Sequence, residues 1–217
     1  MVSKTPRTPA PALPPAAVPP TYLDANRLWV DSRLRAWVAL RVEGAVLERL
    51  GARGGRCVEI GTGRRALGAR LALTRLGATE VRAYDLYPAT VARARERTTD
   101  LGDRLRLQVC DATCLPVESG SVDLVVDLHA LHHIEDWRAA VRECARMLRP
   151  GGQLALAEMT RRFVDAPWLR AVSRHPADRF DADELLAELR AAGFEVRPGD
   201  VVRRAGDRWV AAVARRA

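Results

Sequence analysis

The stretch Glu59-Ile60-Gly61-Thr62-Gly63-Arg64-Arg65-Ala66 decides the fold of this chain. It follows the apolar run at 56–60, which predicts a buried strand, and leads into residues 65–76, whose apolar spacing predicts a helix. A glycine-rich turn between a strand and a helix lets the backbone approach a ligand at the carboxyl end of a parallel sheet. With Ala66 in third place the turn also satisfies the dinucleotide fingerprint, so it predicts a ligand site without identifying the ligand.

Apolar runs and helical periods alternate along the rest of the chain. Further runs that predict strands lie at 80–84, 105–110, 122–128 and 153–159. Strands joined by helices favour a parallel, doubly wound sheet with helices on both faces. The last two runs, 194–202 and 209–213, are too close together for a crossover helix and predict an antiparallel hairpin at the sheet edge. The predicted fold is α/β and Rossmann-like, with seven mostly parallel strands.

Acidic residues follow the second and third predicted strands. Asp85 ends the second strand, where a carboxylate accepts hydrogen bonds from both hydroxyls of a ribose. Asp111 follows the third strand, where a carboxylate can accept from an adenine amine while the Ala112 amide meets a ring nitrogen. Together they predict an adenosine-type ligand, which leaves nicotinamide dinucleotides and S-adenosylmethionine both open.

The chain resembles the class I S-adenosylmethionine-dependent methyltransferases, in the small-molecule branch that includes the ubiquinone and menaquinone methyltransferases. The resemblance extends over roughly residues 56–160. The matching segments are 58–63, Tyr84-Asp85-Leu86, Cys110-Asp111-Ala112, Leu115-Pro116 with Ser121-Val122-Asp123, Leu131-His132-His133-Ile134, and Leu148-Arg149-Pro150-Gly151-Gly152. The terminal antiparallel hairpin is also a property of this fold.

This resemblance implies a set of residues around S-adenosylmethionine. The ribose is expected to contact Asp85, and the adenine is expected to contact Leu86, Asp111 and Ala112. The methionine end is expected to contact Glu59, Gly61, Thr62, Gly63 and backbone groups of Asp127 and Leu128. One departure is Arg65, which stands where the family usually has a third glycine. Arg64 or Arg65 is a candidate partner for the carboxylate of the cofactor.

The expected chemistry is methyl transfer from the sulfonium to a small acceptor by in-line displacement, with the protein positioning the reactants and excluding water. The acceptor atom is left open among O, N and C of a quinone-like compound or secondary metabolite. Candidate bases cluster after the fourth strand, and an imidazole suits proton removal near neutral pH. We expect His129 and His133 to be the catalytic candidates, although His132 and His133 also fit a packing role.

Three parts of the chain are predicted. Residues 1–20 are rich in proline and predict a disordered arm, and residues 21–52 predict an N-terminal lid helix. Residues 53–217 form the cofactor domain, with a lid insertion at 160–180. Aromatic residues in the two lid segments are candidates for acceptor contacts or for packing: Tyr22, Trp29, Trp37, Phe163 and Trp168.

The composition of the chain indicates which kinds of partner and compartment to expect. The formal net charge is +8, but of the 35 basic residues only Lys4 is a lysine. Arginine spread evenly along the chain favours a compositional background over a nucleic-acid surface. No apolar run is long enough to span a membrane, and four cysteines are too few for a disulfide scaffold, so we expect a cytoplasmic protein. We expect no metal, a small-molecule substrate, and a monomer or homodimer.

Several other functions remain open at this point. A nicotinamide-dependent oxidoreductase fits the glycine turn and Asp85, but leaves Asp111 and the terminal hairpin unexplained. An RNA or tRNA methyltransferase shares the expected fold, although residues 127–130, Asp-Leu-His-Ala, lack the Asn-Pro-Pro-Tyr type of site. A catalytically silent binding protein is a third alternative, which only Arg65 suggests.

Overall fold

The computed structural model of the protein describes residues 31–173 and 175–217. The predicted arm at 1–20 lies outside these residues, as do Tyr22 and Trp29 of the predicted lid helix. Within the described ranges, no helix combines the length and the apolar character needed to cross a bilayer.

One sheet organises the described part of the chain. Its strands are β1 (Arg56–Ile60), β2 (Glu80–Asp85), β3 (Leu105–Val109), β4 (Val122–Leu128), β5 (Leu148–Met159), β6 (Phe194–Glu195), β7 (Val201–Arg204) and β8 (Trp209–Arg216). The strand order is β3-β2-β1-β4-β5-β8-β6, and β7 also pairs with β8. The first five strands are parallel to one another, whereas β8 is antiparallel to β5, β6 and β7. The predicted mixed sheet with an antiparallel C-terminal part is confirmed.

The edge of the sheet differs from the prediction in one respect. The predicted strand at 194–202 is divided into β6 and β7 by a 3-10 turn at Pro198–Asp200, so the sheet has eight strands rather than seven. Both pieces lie along β8, with Phe194 opposite Arg216 and Val201 opposite Ala212. The physical reason is Pro198, which has no N–H to donate to a strand ladder.

The helices cover both faces of the sheet. They are α1 (Arg33–Trp37), α2 (Gly44–Arg49), α3 (Leu67–Thr74), α4 (Pro88–Arg97), α5 (Trp137–Met147), α6 (Arg161–Val164), α7 (Pro167–Val172) and α8 (Ala182–Ala191). A π-helical segment, Val38–Glu43, joins α1 to α2. Short 3-10 turns follow β1 and β4, at Gly63–Arg65 and Leu131–His133.

The central strand β4 is buried on both faces, as its apolar sequence predicts. Val125 packs in the cluster that contains Trp137 of α5, whereas Leu124 and Val126 pack in the opposite cluster with Leu71 of α3. Because β1, β2 and β4 are parallel, their carboxyl ends meet at one edge of the sheet. The loops after these strands form the site described next.

Candidate cofactor and acceptor site

The glycine turn after β1 has two glycines with different constraints. Gly61 and Gly63 both have positive φ, +62° and +59°. A Cβ at Gly61 would overlap the side chain of Ala130, so this glycine is needed for packing against the loop after β4. A Cβ at Gly63 would have no described atom of the chain within 4 Å. The backbone at Gly63 therefore borders open space where a ligand can approach.

Glu59, near the end of β1, holds this turn through two side-chain hydrogen bonds. Its side chain is buried, and Oε1 accepts a hydrogen bond from the Gly68 N–H at 2.7 Å. Oε2 accepts one from the Thr62 hydroxyl at 2.6 Å. Burial raises the pKa of Glu59 to about 8. Glu59 thus ties the turn to α3, and its contact with the methionine end of a cofactor stays a prediction.

Asp85 lies at the carboxyl end of β2 and faces the glycine turn. Oδ2 accepts from the Gly63 N–H and Oδ1 from the Tyr87 N–H, both at 3.0 Å. Each carboxylate oxygen can accept more than one hydrogen bond, so both retain capacity for ribose hydroxyls. Burial raises the pKa of Asp85. The next residue, Leu86, is half-buried beside it.

Asp111 lies next to Asp85 because the Cys110 N–H donates to the Asp85 carbonyl at 3.0 Å. Its Oδ1 accepts from both the N–H and the hydroxyl of Thr113, each at 2.8 Å. Asp111 and Ala112 are half-buried. The two acids that were predicted for ribose and adenine therefore lie at neighbouring strand ends, as an adenosine ligand requires.

Asp127 is a fully buried acid near the end of β4. Its Oδ1 accepts from the Ala130 N–H at 2.9 Å, while Oδ2 accepts no N–H or hydroxyl of the described residues. The Asp127 carboxyl also has a side-chain hydrogen bond with Glu158. Burial, and then the nearby Glu158 carboxylate, raise the pKa of Asp127 well above its ordinary range. Leu128, which follows it, pairs with Ala157 of β5. A second acid beside Asp127 at this edge suits a cationic donor such as the amine of a cofactor.

His129 is oriented by the N-terminal segment. Its Nε2 lies 2.8 Å from Oε1 of Glu43, and Oε2 of Glu43 lies 3.2 Å from the Arg35 guanidinium. Its Nδ1 is buried and has no partner among the described residues. Burial lowers the pKa of His129, but Glu43 raises it by more, so the net pKa lies above its ordinary value. An acid on one nitrogen and an unpartnered second nitrogen are the features of a positioned base.

Glu43 and Arg35 were missed by sequence reasoning. The apolar positions Leu34 and Trp37 predict the inner face of the lid helix, yet their side chains are 57% and 56% exposed. Arg35 and Glu43 are buried instead. The π-helical segment changes the angular register between α1 and α2, and a paired acid and base can be buried where single charges cannot. The sequence signal for this pair was two opposite charges, Arg35 and Glu43, eight residues apart in a predicted helix with many apolar positions.

The other three histidines lie beside His129. His132 is buried, and its Nδ1 lies 2.5 Å from Oε2 of Glu158, a fully buried acid of β5. The ring centroids of His133 and His132 are 4.1 Å apart. The His133 ring also stacks on that of His175, from the 160–180 insertion, with the centroids 4.9 Å apart. Burial lowers the pKa of His132, His133 and His175. His133, a predicted catalytic candidate, thus lies in a cluster of imidazoles, and its catalytic role stays a prediction.

The remaining candidates for acceptor contacts, Trp37, Phe163 and Trp168, are exposed or half-buried. Phe163 and Trp168 make an edge-to-face contact with centroids 5.6 Å apart, and Trp168 is 60% exposed. Trp37 lies on the exposed side of α1. A role of these aromatic side chains in acceptor binding stays a prediction.

Arg64 and Arg65 both contact Asp31, just before α1. Arg64 Nε lies 3.3 Å from the Asp31 carboxylate, and Arg65 Nε donates to its carbonyl at 2.9 Å. Both guanidinium groups therefore already contact Asp31, and a role of either one in binding a ligand carboxylate stays a prediction. Where the family usually has glycine, Arg65 instead fastens the start of the N-terminal segment to the turn, and Ala66 adopts the positive φ of +47°.

Comparison with known proteins identifies the family. Residues 58–156 match the family model of a methyltransferase domain. The chain is 33% identical to the 27-O-demethylrifamycin SV methyltransferase of Amycolatopsis mediterranei over 150 residues, 65% of this chain and 54% of that protein. It thus spans about half the length of that relative.

A second relative aligns over more of its length. The chain is 33% identical to a ubiquinone biosynthesis O-methyltransferase of Xanthomonas axonopodis pv. citri over 188 residues, 79% of this chain and 77% of that protein. The present chain also shares its fold with a SAM-dependent methyltransferase from Aquifex aeolicus, at 20% sequence identity and a TM-score of 0.68. The match covers 90% of this chain and 100% of that one. These matches support neither the oxidoreductase nor the RNA-directed alternative. This chain belongs to the small-molecule group of the S-adenosylmethionine-dependent methyltransferases, together with the ubiquinone O-methyltransferases.

Proposed function

We propose that this protein binds S-adenosylmethionine at the carboxyl edge of β1, β2 and β4 and methylates a hydroxyl oxygen of a small, quinone-like or phenolic acceptor. The observation that carries the choice of oxygen is the pair Glu43–His129. A hydroxyl must lose a proton as its oxygen is methylated, more so than an amine, and His129 is a buried, oriented imidazole that can take it.

The residues present fit the cofactor. Asp85 retains acceptor capacity for the ribose, and Asp111 lies beside it for the adenine amine. Asp127 and Glu158 form a pair of buried acids at the carboxyl ends of β4 and β5 that suits the amine of the cofactor. The open space at Gly63 admits a ligand against the backbone. When bound, S-adenosylmethionine supplies an electrophilic methyl carbon on a positively charged sulfur.

Glu43 sets the tautomer of His129. A carboxylate accepts hydrogen bonds, so Nε2 carries the proton toward Glu43 and Nδ1 keeps its lone pair. In the proposed step Nδ1 of His129 takes the proton of the acceptor O–H as that oxygen is methylated. Bound S-adenosylmethionine would supply the methyl group and would keep the electron pair of the broken carbon–sulfur bond on its sulfur. Glu43 stabilises the resulting imidazolium, and Arg35 holds Glu43 in place.

The proposed function includes further expectations. The partner is a small molecule rather than a nucleic acid, and the chain acts as a monomer or homodimer. The cysteines Cys57, Cys110, Cys114 and Cys144 are all free, which supports a reducing compartment such as the cytoplasm.

Incubation of the full chain with S-adenosylmethionine and matched pairs of acceptors tests this function. Each pair consists of a catechol or hydroquinone and the corresponding aniline, and mass spectrometry detects S-adenosylhomocysteine and the methylated product. We expect methylation of the hydroxyl compounds, with turnover lowered about 10²- to 10⁴-fold in His129→Ala. Methylation of the anilines alone, or full turnover in His129→Ala, would contradict the proposal.

A further inference from the structure

All four histidines of the chain gather at one place, the carboxyl end of β4 and the insertion that follows β5. Three of them, His132, His133 and His175, each offer a ring nitrogen, and these nitrogens all lie within 4.8 Å of one another. The ring centroids of His132 and His175 are 5.4 Å apart. Imidazoles from two separate parts of the sequence thus converge within the reach of one ion.

His132 has the second contact that a metal-binding imidazole usually makes. Its Nδ1 faces the buried carboxylate of Glu158, which also accepts the Leu131 N–H at 2.7 Å. A carboxylate on one ring nitrogen fixes the orientation of the ring and leaves the other nitrogen as the ligand atom. In this arrangement Nε2 of His132 is the atom available to an ion.

The insertion that carries His175 is fastened at both ends. The Arg161 N–H donates to the Phe180 carbonyl at 2.7 Å, and Arg179 pairs with Asp165 at 2.9 Å. Phe180 packs edge-on against the buried Trp137, with ring centroids 4.9 Å apart. These contacts hold His175 over the pair that follows β4 and limit the entropy that binding an ion would cost.

A second grouping of possible ligands, His129, His132 and Glu158, lies next to the first. It shares His132 with the first, and its carboxylate accepts two backbone N–H groups as well as facing His132. His129 Nε2 faces Glu43. Because the proposed function assigns His129 to proton transfer, the all-histidine grouping is the one considered for an ion.

We propose that His132, His133 and His175 form a binding site for a divalent transition-metal ion of the Zn²⁺ type. Neutral imidazoles suit borderline ions such as Zn²⁺, whereas Mg²⁺ and Ca²⁺ take oxygen ligands. Three histidines leave a fourth tetrahedral position for water or for an oxygen of a small ligand. This site departs from the sequence prediction of no metal, because the sequence did not place His175 beside the other two histidines.

Metal titration of the full chain, prepared without a histidine tag and stripped with a chelator, tests the site without any enzyme assay. Co²⁺ is followed by its visible absorption, and Zn²⁺ by competition with a chromogenic chelator. We expect one ion per chain, an affinity at least about tenfold lower in His175→Ala, and a loss of about 10- to 100-fold in Glu158→Gln.

The variant His129→Ala is the matched control, because it removes an imidazole of the same cluster outside the proposed ligand set. It is expected to keep the affinity of the parent chain. Metal-free His175→Ala must show the same thermal unfolding midpoint as the metal-free parent; if it does not, His175→Gln takes its place. Absence of stoichiometric binding by the parent chain, equal binding in the His175 variant, or loss of binding only in His129→Ala would each overturn the proposal.

Discussion

Nε2 of His129 lies 2.8 Å from Oε1 of Glu43, so the loop after β4 is joined to the π-helical segment of the N-terminal region. His129 adopts a positive φ of +64°, and its N–H donates to the Ala157 carbonyl of β5 at 3.0 Å. The backbone of this loop and the side chain of Glu43 together determine where Nδ1 points. Glu43 is therefore a positioning residue for the proposed base.

Substitution Glu43→Gln tests this positioning. A glutamine can present an N–H to Nε2, which moves the ring proton to Nδ1 and removes the proposed lone pair. We expect kcat to fall on the order of 10-fold or more while KM and the affinity for S-adenosylhomocysteine change little. The control is Glu48→Gln, because Glu48 lies on α2 and forms an ion pair with Arg75 rather than with His129. Equal kinetics in the two variants would count against a role for Glu43.

The open space at Gly63 predicts a loss of cofactor affinity on adding a methyl group. Gly63→Ala places a Cβ where no described atom lies within 4 Å, in the proposed ligand cradle. Gly77→Ala is the matched control, because Gly77 has a positive φ of +78° and equally open surroundings, between α3 and β2. Both variants are expected to lose about 1 kcal/mol of stability through the backbone strain of a left-handed alanine.

Isothermal titration with S-adenosylhomocysteine separates the two alanine variants. We expect Gly63→Ala to bind at least about tenfold more weakly than the parent chain, since a well-packed site has no room for the added carbon. Gly77→Ala is expected to bind like the parent. Unchanged binding in Gly63→Ala would place the cofactor elsewhere.

Glu59 predicts a pH-dependent stability. Burial raises its pKa from 4.5 to about 8 in the folded chain. The folded state thus binds this proton more tightly than the unfolded state, and the resulting stabilisation is complete below about pH 4.5 and is lost as the pH rises through about 8. Between these values the contribution falls by about 1.4 kcal/mol per pH unit.

Urea denaturation of the parent chain and Glu59→Gln at pH 5, 6, 7 and 8 measures this contribution. The glutamine keeps the shape of the side chain and is never charged, so the difference in free energy of unfolding between the two proteins should change with pH in favour of the variant at high pH. A pH-independent difference would mean that Glu59 is ionised in the folded protein throughout this range.

The clustering of the candidate cofactor residues at one sheet edge could be predicted from the sequence, because these residues follow strands directly; their contacts with a cofactor stay a prediction. Asp85 and Asp127 end or nearly end strands of a parallel sheet, and parallel strands bring their carboxyl ends to one edge. Local patterns at Gly61 and Gly63 and a regular topology were sufficient there.

The features that escaped prediction depend on contacts between distant segments. Glu43 meets His129 only because the π-helical segment turns it inward, and His175 meets His132 and His133 only through the folding of the insertion. No local periodicity carries that information. At the sheet edge, Pro198-Gly199-Asp200 separates two short apolar runs, and the prediction of one strand across this break was wrong.

Calorimetric titration of the full chain with S-adenosylmethionine, S-adenosylhomocysteine and NAD tests the central claim most directly. The arrangement of Asp85, Asp111 and Asp127 predicts saturable binding of S-adenosylmethionine and S-adenosylhomocysteine at one site per chain, and no response to NAD. Saturable binding of NAD without any response to S-adenosylmethionine or S-adenosylhomocysteine would contradict it.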